Sequence, residues 1–335
     1  MGIHVEEKSY PKKHLALVIL ASVISIVLIT GIFAFSDVIS VKNSGTVNIT
    51  DGMTVGGVAE YMKENEIIRF PYVFRVISRI MGYDKKIRTG QIEVEAGMSY
   101  TEILNELINA QPETVKVVIP EGYEIGEIAE KLSVLVSKEE FYEALNKDYD
   151  YKFLEDLPDR GIRLEGYLFP ATYAFPVGFT AEEIVDTMLK AFDEAFLDEY
   201  YTRANELGMT VDQIVTLASI IERESNSGED RAKVAGVFYN RLEKNMRLQS
   251  CATVQYILKE RKPVLSTADT KINSPYNTYI NSGLPVGPIA SPGEECIKAA
   301  LYPEDTTALY FVLGSDGKHI FSDTYDQHLD AKNGG

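Results

Sequence analysis

The hydrophobic pattern changes character along the chain. It begins with an unbroken apolar run, LALVILASVISIVLITGIFAFS, in which Leu15 to Ser36 supply 22 residues without a charge. At about 1.5 Å per helical residue this covers roughly the 30 Å of a bilayer's hydrocarbon. Lys12, Lys13 and His14 precede the run and Asp37 follows it. That asymmetry predicts a transmembrane helix over 14–36, with a short cytoplasmic tail, 1–13, and everything after it on the far side of a cell membrane. A cleaved signal peptide fits less well. Its apolar core is about 7–15 residues, and Ala34-Phe35-Ser36 is a weak cleavage site. A buried core helix is disfavoured because no charge interrupts the run.

Next comes a pattern that repeats. VNITDGMTVGGVAEYM starts at Val47, IEVEAGMSYTEILNEL at Ile92 and VVIPEGYEIGEIAEKL at Val117, and the three align without a gap. Each opens with apolar residues at alternate positions (Val47/Ile49, Ile92/Val94, Val117/Ile119), the period of a strand. Each has glycine sixth: Gly52, Gly97, Gly122. Glycine there permits a positive φ at a tight turn. A helical pattern comes after it, as in Ile125, Ile128, Ala129 and Leu132. The predicted unit is strand, turn, amphipathic helix. The first two copies, 45–112, resemble a lysin-motif-like module, which implies a grip on cell-wall glycan. The same unit also recurs in α+β folds that bind nothing. The exposed positions of the units are mostly acidic, with no convergent aromatic platform. The third copy, within 115–145, links the module to the C-terminal half of the chain.

That C-terminal half is irregular at first. Residues 146–163 are polar and turn-prone, and Leu164 to Pro176 are aromatic and broken by two prolines, so no long helix fits there. Thr180-Ala181-Glu182-Glu183 reads as a capping box opening a helix with Ile184, Met188, Phe192 and Phe196 on one side, stopped by Gly208. Thr210-Val211-Asp212-Gln213 opens a second, VDQIVTLASIIERES. A third helix spans about Arg231 to Glu243. Pro/Gly-rich segments come next, and ALYFVL and HIFSDT flank Asp316-Gly317 as a terminal hairpin. The fold class is α+β: a single N-terminal membrane helix, the small module, and a C-terminal α+β domain over 115–330.

Composition narrows function. With 33 Lys+Arg against 50 Asp+Glu, the formal charge of −17 excludes a chain that tracks nucleic-acid phosphates. Mean hydropathy of −0.09 excludes a polytopic membrane protein but not a single span. Two cysteines and four histidines suit neither a disulfide scaffold nor an obvious metal protein. His319 and His328 read as non-ligands, and no metal or cofactor is expected. Outside the cell Cys251 and Cys296 are permitted a disulfide, or are two free thiols.

On the second capped helix, with Ile214 set at 0°, Val211, Leu217, Ala218 and Ile221 fall within about 60°. Glu222 falls near about 80° and Glu224 near about 280°, so two carboxylates flank an apolar stripe. A carboxylate there must be paired or must titrate higher, and a raised pKa makes a proton donor of the kind glycosidic cleavage needs. Either glutamate alternatively pairs with an arginine such as Arg241 and does nothing more. The wheel does not separate the two. Gln249 and the Asn273/Asn277/Asn281 set offer neutral hydrogen bonders suited to sugars. Tyr276 and Tyr279 offer rings for stacking. All equally suit loops held by their own packing.

LASIIERES, EGYLFPATY, FYNRLEKNMRLQ, SPYNTY, GLPVGPIASPG and GKHIFSDTYDQH, in this order, closely resemble the endolytic murein transglycosylases. The resemblance implies cleavage of the β-1,4 bond between N-acetylmuramic acid and N-acetylglucosamine in nascent peptidoglycan strands, leaving 1,6-anhydro-muramyl ends. It assigns the catalytic role to Glu222, and a place along the glycan cleft to Gln249, Tyr276, Asn277, Tyr279, Glu165 and Tyr167. It implies a peptidoglycan polymerase as partner. Where many relatives carry Asp-Pro, this chain has Cys251-Ala252, so any role of that aspartate is lost, and Cys251 is expected to be structural, bridged to Cys296. Two other classes stay open: a non-catalytic wall-binding scaffold, and a muramidase that adds water using Glu224 or Glu165 as a second carboxylate.

Overall fold

The computed structural model describes Ser22 and residues 40–334, apart from Asp51, Asp156, Asn226, Ser227, Glu229 and Asp316. Except for Ser22, the expected membrane helix lies outside the described residues. Among the described residues no helix is long and apolar enough to cross a membrane. The described residues divide into two compact units, one ending at Glu113 and one beginning at Thr114.

In the N-terminal unit the order is β1 (Gly45–Ile49), α1 (Val55–Glu64), α2 (Pro71–Met81), β2 (Gly90–Val94) and α3 (Tyr100–Asn109). The two strands belong to the first two sequence repeats and pair antiparallel, with Val47 opposite Ile92. The first residue of one repeat thus faces the first residue of the other. Alternation puts Val47, Ile49, Ile92 and Val94 on the buried face, against Val58, Met62, Phe74, Ile103 and Leu107. Gly52 and Gly97 take φ of +75° and +94°, as the repeat predicts. Ser99 and Glu102 close a capping box on α3.

The C-terminal unit opens with β3 (Thr114–Val118), α4 (Ile125–Leu132) and α5 (Lys138–Ala144). Here the third repeat finds a different partner: β3 pairs with β4 (Thr172–Pro176), the strand made by the aromatic segment. Two helices come next, α6 (Ala181–Ala195) and α7 (Asp198–Glu206), where the apolar spacing predicts one. The break falls at Phe196 and Leu197. Phe196 leaves helical geometry at φ −90°, ψ 83°, and its buried ring packs edge-on against Tyr200 and Tyr201. Gly208, at φ +68°, closes the second helix.

The central helix is α8 (Val211–Glu224), opened by the expected Thr210/Gln213 capping box. Ile214, Val215, Leu217, Ala218, Ile220 and Ile221 are all fully buried. Each large one contributes about 1.5–3 kcal/mol of apolar transfer. Around it lie α9 (Arg231–Glu243), α10 (Cys251–Leu258) and α11 (Glu294–Leu301). The terminal hairpin, β5 (Tyr310–Leu313) with β6 (His319–Ser322), leads into α12 (Tyr325–Gly334), a helix the polar tail does not announce.

Candidate active site

The site is built where α8 ends. The Pro/Gly-rich segment before α11 is tied both to this helix and to the turn of the third repeat. Ser219 Oγ accepts the Ile289 N–H at 3.0 Å. The Gly122 N–H donates to Ser291 O, and the Ser291 N–H to Tyr123 O, both at 2.8 Å. The Gly293 N–H donates to Glu222 Oε2 at 2.9 Å. Gly293 is the residue that caps α11, so Glu222 meets the positive end of that helix. The turn of the third repeat closes the other side. Gly122, at φ +73°, lies so near that a Cβ there would touch Glu222 Cγ at 3.5 Å. Glu222 itself stays partly exposed.

Glu224 is engaged differently. Its Oε1 accepts from Ser250 Oγ and from the Ala252 N–H at 3.4 Å. Both donors belong to the start of α10, so Glu224 caps that helix. Arg241 pairs with neither glutamate. Its guanidinium donates to the carbonyls of Leu309 at 2.6 Å and Leu248 at 2.7 Å. These contacts separate two carboxylates that helical geometry leaves equivalent. Both stand partly exposed at the start of a neighbouring helix, Glu224 at α10 beside the cavity described below and Glu222 at α11, where it also meets the Cys296 thiol and the turn of the third repeat.

A third carboxylate, absent from the sequence-based candidates, joins Glu222. Glu121 stands in the repeat turn, and its carboxyl lies against Gly293, where any side chain would collide with it. Partial burial, then the charge of Glu222, pushes its pKa up, while Arg231 pulls it down. The signal available in sequence was its place beside the turn glycine of the one repeat that continues into the second unit.

Gln249 and Tyr279 line a cavity of about 330 Å³ together with Glu224, Cys251, Arg241 and His328. Glu222 is not part of that lining. Gln249 has φ +50°, a left-handed conformation unusual for a residue with a side chain. Its N–H is held by Thr278 O at 3.1 Å. Tyr276 is half-buried and packs on Tyr256 with ring centroids 4.9 Å apart.

The remaining cleft residues expected from sequence are interior. Glu165 is fully buried, accepting from the Ile125 N–H and from Tyr256 Oη, both at 3.1 Å. Tyr167 is fully buried and donates to Asp212 Oδ1 at 2.8 Å, the oxygen that also takes Arg160 Nη1 at 2.7 Å. Asn277, buried as well, donates to Ile272 O at 2.8 Å and accepts the Tyr279 N–H at 2.9 Å. Each of the three is engaged in holding other segments of the interior. The expected disulfide is also corrected, since both thiols are free. Cys251 Sγ lies 3.1 Å from Tyr279 Oη. Cys296 is buried against Glu222. Burial first, then Glu222's charge and hydrogen bond, raise its pKa far above the usual thiol value.

The YceG-like family model matches residues 47–334, which takes in both compact units. The chain belongs to the YceG-like family. Among curated relatives, the endolytic murein transglycosylase of Bacillus subtilis (strain 168) is 33% identical over 306 residues, 87% of this chain and 84% of that one. The endolytic murein transglycosylase of Streptococcus pneumoniae serotype 2 (strain D39) is 32% identical over 320 residues. That match covers 86% of this chain but only 57% of the longer relative. A crystal structure of a yceG-like protein from Listeria monocytogenes superposes with a TM-score of 0.58 at 31% identity. It covers 86% of this chain and 98% of that one. Helix α8, with Glu222 at its end, thus lies within the span that YceG-like proteins share.

Proposed function

We propose that this chain is an endolytic murein transglycosylase, a lyase that cuts peptidoglycan strands, with Glu222 as its acid and base. The observation that carries the assignment is the contrast on α8. Glu224 has its Oε1 held by two donors from the start of α10, whereas Glu222 takes one backbone N–H among the described residues and stands between the turn of the third repeat and the Cys296 thiol, with the Glu121 carboxyl alongside. Glu222 protonates the glycosidic oxygen as the bond from C1 of N-acetylmuramic acid breaks. It then takes the proton of that sugar's own C6 hydroxyl as O6 bonds to C1. No water enters, and the product is a 1,6-anhydro-muramyl end. One carboxyl group suffices because attacking and leaving oxygens belong to one bound strand, which converts the step to an oriented intramolecular one.

A hydrolytic reading is favoured by one observation, the Glu121 carboxyl beside Glu222, since conventional glycosidases use two carboxylates. Glu165 does not support it, because both its oxygens are occupied within the fold, and Glu224 has its Oε1 held by the start of α10. Mass analysis of products from purified uncrosslinked glycan strands tests the proposal. Anhydro ends from the wild type, no cleavage by Glu222→Gln, and anhydro ends retained by Glu121→Gln support the lyase. Products heavier by one water, lost in Glu121→Gln, overturn it. No cleavage by the wild type leaves the wall-binding scaffold. The same proposal takes Leu15–Ser36 as an anchor that holds the enzyme to the outer face of the cell membrane, where nascent strands emerge. Its support is 22 uncharged residues behind Lys12 and Lys13.

A further inference from the structure

The N-terminal unit carries an exposed apolar surface on one of its helices. Along α2, Tyr72, Val76 and Ile80 recur every four residues and so share one face of the helix. Tyr72 is 75% exposed and Ile80 80%, although the opposite face buries Phe74 and Ser78 in the core of the unit. Arg75 and Arg79 border the apolar stripe on one side. The cationic character extends beyond the helix. Between residues 69 and 88, Arg69, Arg75, Arg79, Lys85, Lys86 and Arg88 face a single acidic residue, Asp84, in a chain whose overall charge is −17. All six are exposed. Asp84 is already engaged by Ser78 Oγ at 2.9 Å and by Arg79 Nε at 3.5 Å.

An exposed apolar stripe bordered by cations is the pattern of a helix lying in a lipid interface. Charge picks the occupant. Six cations in one twenty-residue segment of an acidic protein match an anionic bilayer, and the aliphatic and aromatic stripe matches the acyl boundary beneath the headgroups. Reach agrees. Val41 is pinned into the unit by its N–H to Met98 O and by the Gly97 N–H to its own carbonyl, both at 2.9 Å. From Ser36, where the apolar run ends, to Val41 is a span of at most about 18 Å of extended chain. We infer that α2, with the basic segment 83–88, is a binding site for anionic phospholipid that lays the N-terminal unit against the membrane. This rests on Leu15–Ser36 being the anchor proposed above.

The chain has no tryptophan, so an introduced one reports alone. The full chain carrying Ile80→Trp is reconstituted into vesicles of phosphatidylcholine, or of phosphatidylcholine with about one-third phosphatidylglycerol. Val264→Trp, at an 82% exposed position of the other unit, is the control. Brominated lipids are expected to quench the Ile80→Trp emission about twofold or more in anionic vesicles, with a blue shift. High salt and the added pair Arg75→Glu/Arg79→Glu should remove both effects, and the control should show neither. Flotation with neutral vesicles at high salt reads the anchor separately. A chain that floats while the Ile80→Trp emission matches the control overturns the α2 site and leaves the anchor standing. A chain that does not float removes the tether and overturns both. A blue shift without lipid quenching that grows with protein concentration assigns the stripe to a second copy of the chain and overturns the lipid site.

Discussion

Glu165 gives a quantitative test of how the C-terminal unit is assembled. Its carboxyl is fully buried, holding the start of α4 through Ile125 N–H and the side of α10 through Tyr256 Oη. Desolvation dominates its titration, and with Lys259, Glu124 and its two hydrogen bonds also acting, its pKa rises from 4.5 to about 7. A raised folded-state pKa means the native protein holds this proton more tightly than the unfolded chain. The associated stability is therefore fully present below about pH 4.5 and is lost as pH rises through about 7. A shift of that size is worth about 3 kcal/mol. Glu165→Gln keeps the shape and can keep both contacts without the charge. The variant should match the wild type near the acid end of this window. At pH 8 it should be more stable by up to about 3 kcal/mol, with the difference opening between the two pKa values. Urea unfolding read by a short alkylation pulse at fixed pH on Cys296, a buried thiol of the same unit, measures it. A difference that does not vary between pH 4.5 and 8, or a variant less stable by a constant amount, refutes the reasoning.

Further outcomes rest on the same contacts. Glu222→Gln should lower strand cleavage by roughly 10²-fold or more without shifting the unfolding midpoint, since it removes a proton carrier but no packing; product release from glycan strands measures it. Glu224→Ala should instead cost about 0.5–2 kcal/mol by uncapping α10, visible as faster hydrogen exchange at the start of that helix. Asp212→Ala leaves the buried Arg160 guanidinium and Tyr167 hydroxyl without their shared acceptor and should destabilise the unit by about 3–5 kcal/mol in denaturant unfolding. Gly166 has φ +89° and packs against the Pro288 ring, so Gly166→Ala should cost at least about 1–3 kcal/mol and lower activity by displacing the segment that holds Gly293.

Local features of the chain were legible because they depend on neighbours in sequence. The turn glycines 52, 97 and 122 take the positive φ that their repeat demands. The capping boxes at Thr180 and Thr210 form as written. What defeated local reading was packing. The stripe through Ile184, Met188 and Phe192 continues to Phe196, yet the helix ends there because that ring turns into an aromatic cluster with Tyr200 and Tyr201. EGYLFP and SPYNTY contain residue types that suit a sugar cleft, but type does not reveal side. Glu165, Tyr167 and Asn277 are turned inward, where each satisfies buried polar groups of other segments.

By itself the amino-acid order determined the periods: an apolar run of bilayer length, three strand-turn-helix units, and a helix with a carboxylate on each flank of its stripe. These are properties of residues a few positions apart, set by helix and strand geometry and by glycine's freedom. Tertiary structure alone decided what each carboxylate meets, because the donors lie far along the chain. Ser250, 26 residues from Glu224, holds it to the start of a helix. Gly293, 71 residues from Glu222, orients it and brings Glu121 alongside. Hydrogen bonds at such separations exist only once the core around α8 has closed, and no spacing along the chain encodes them.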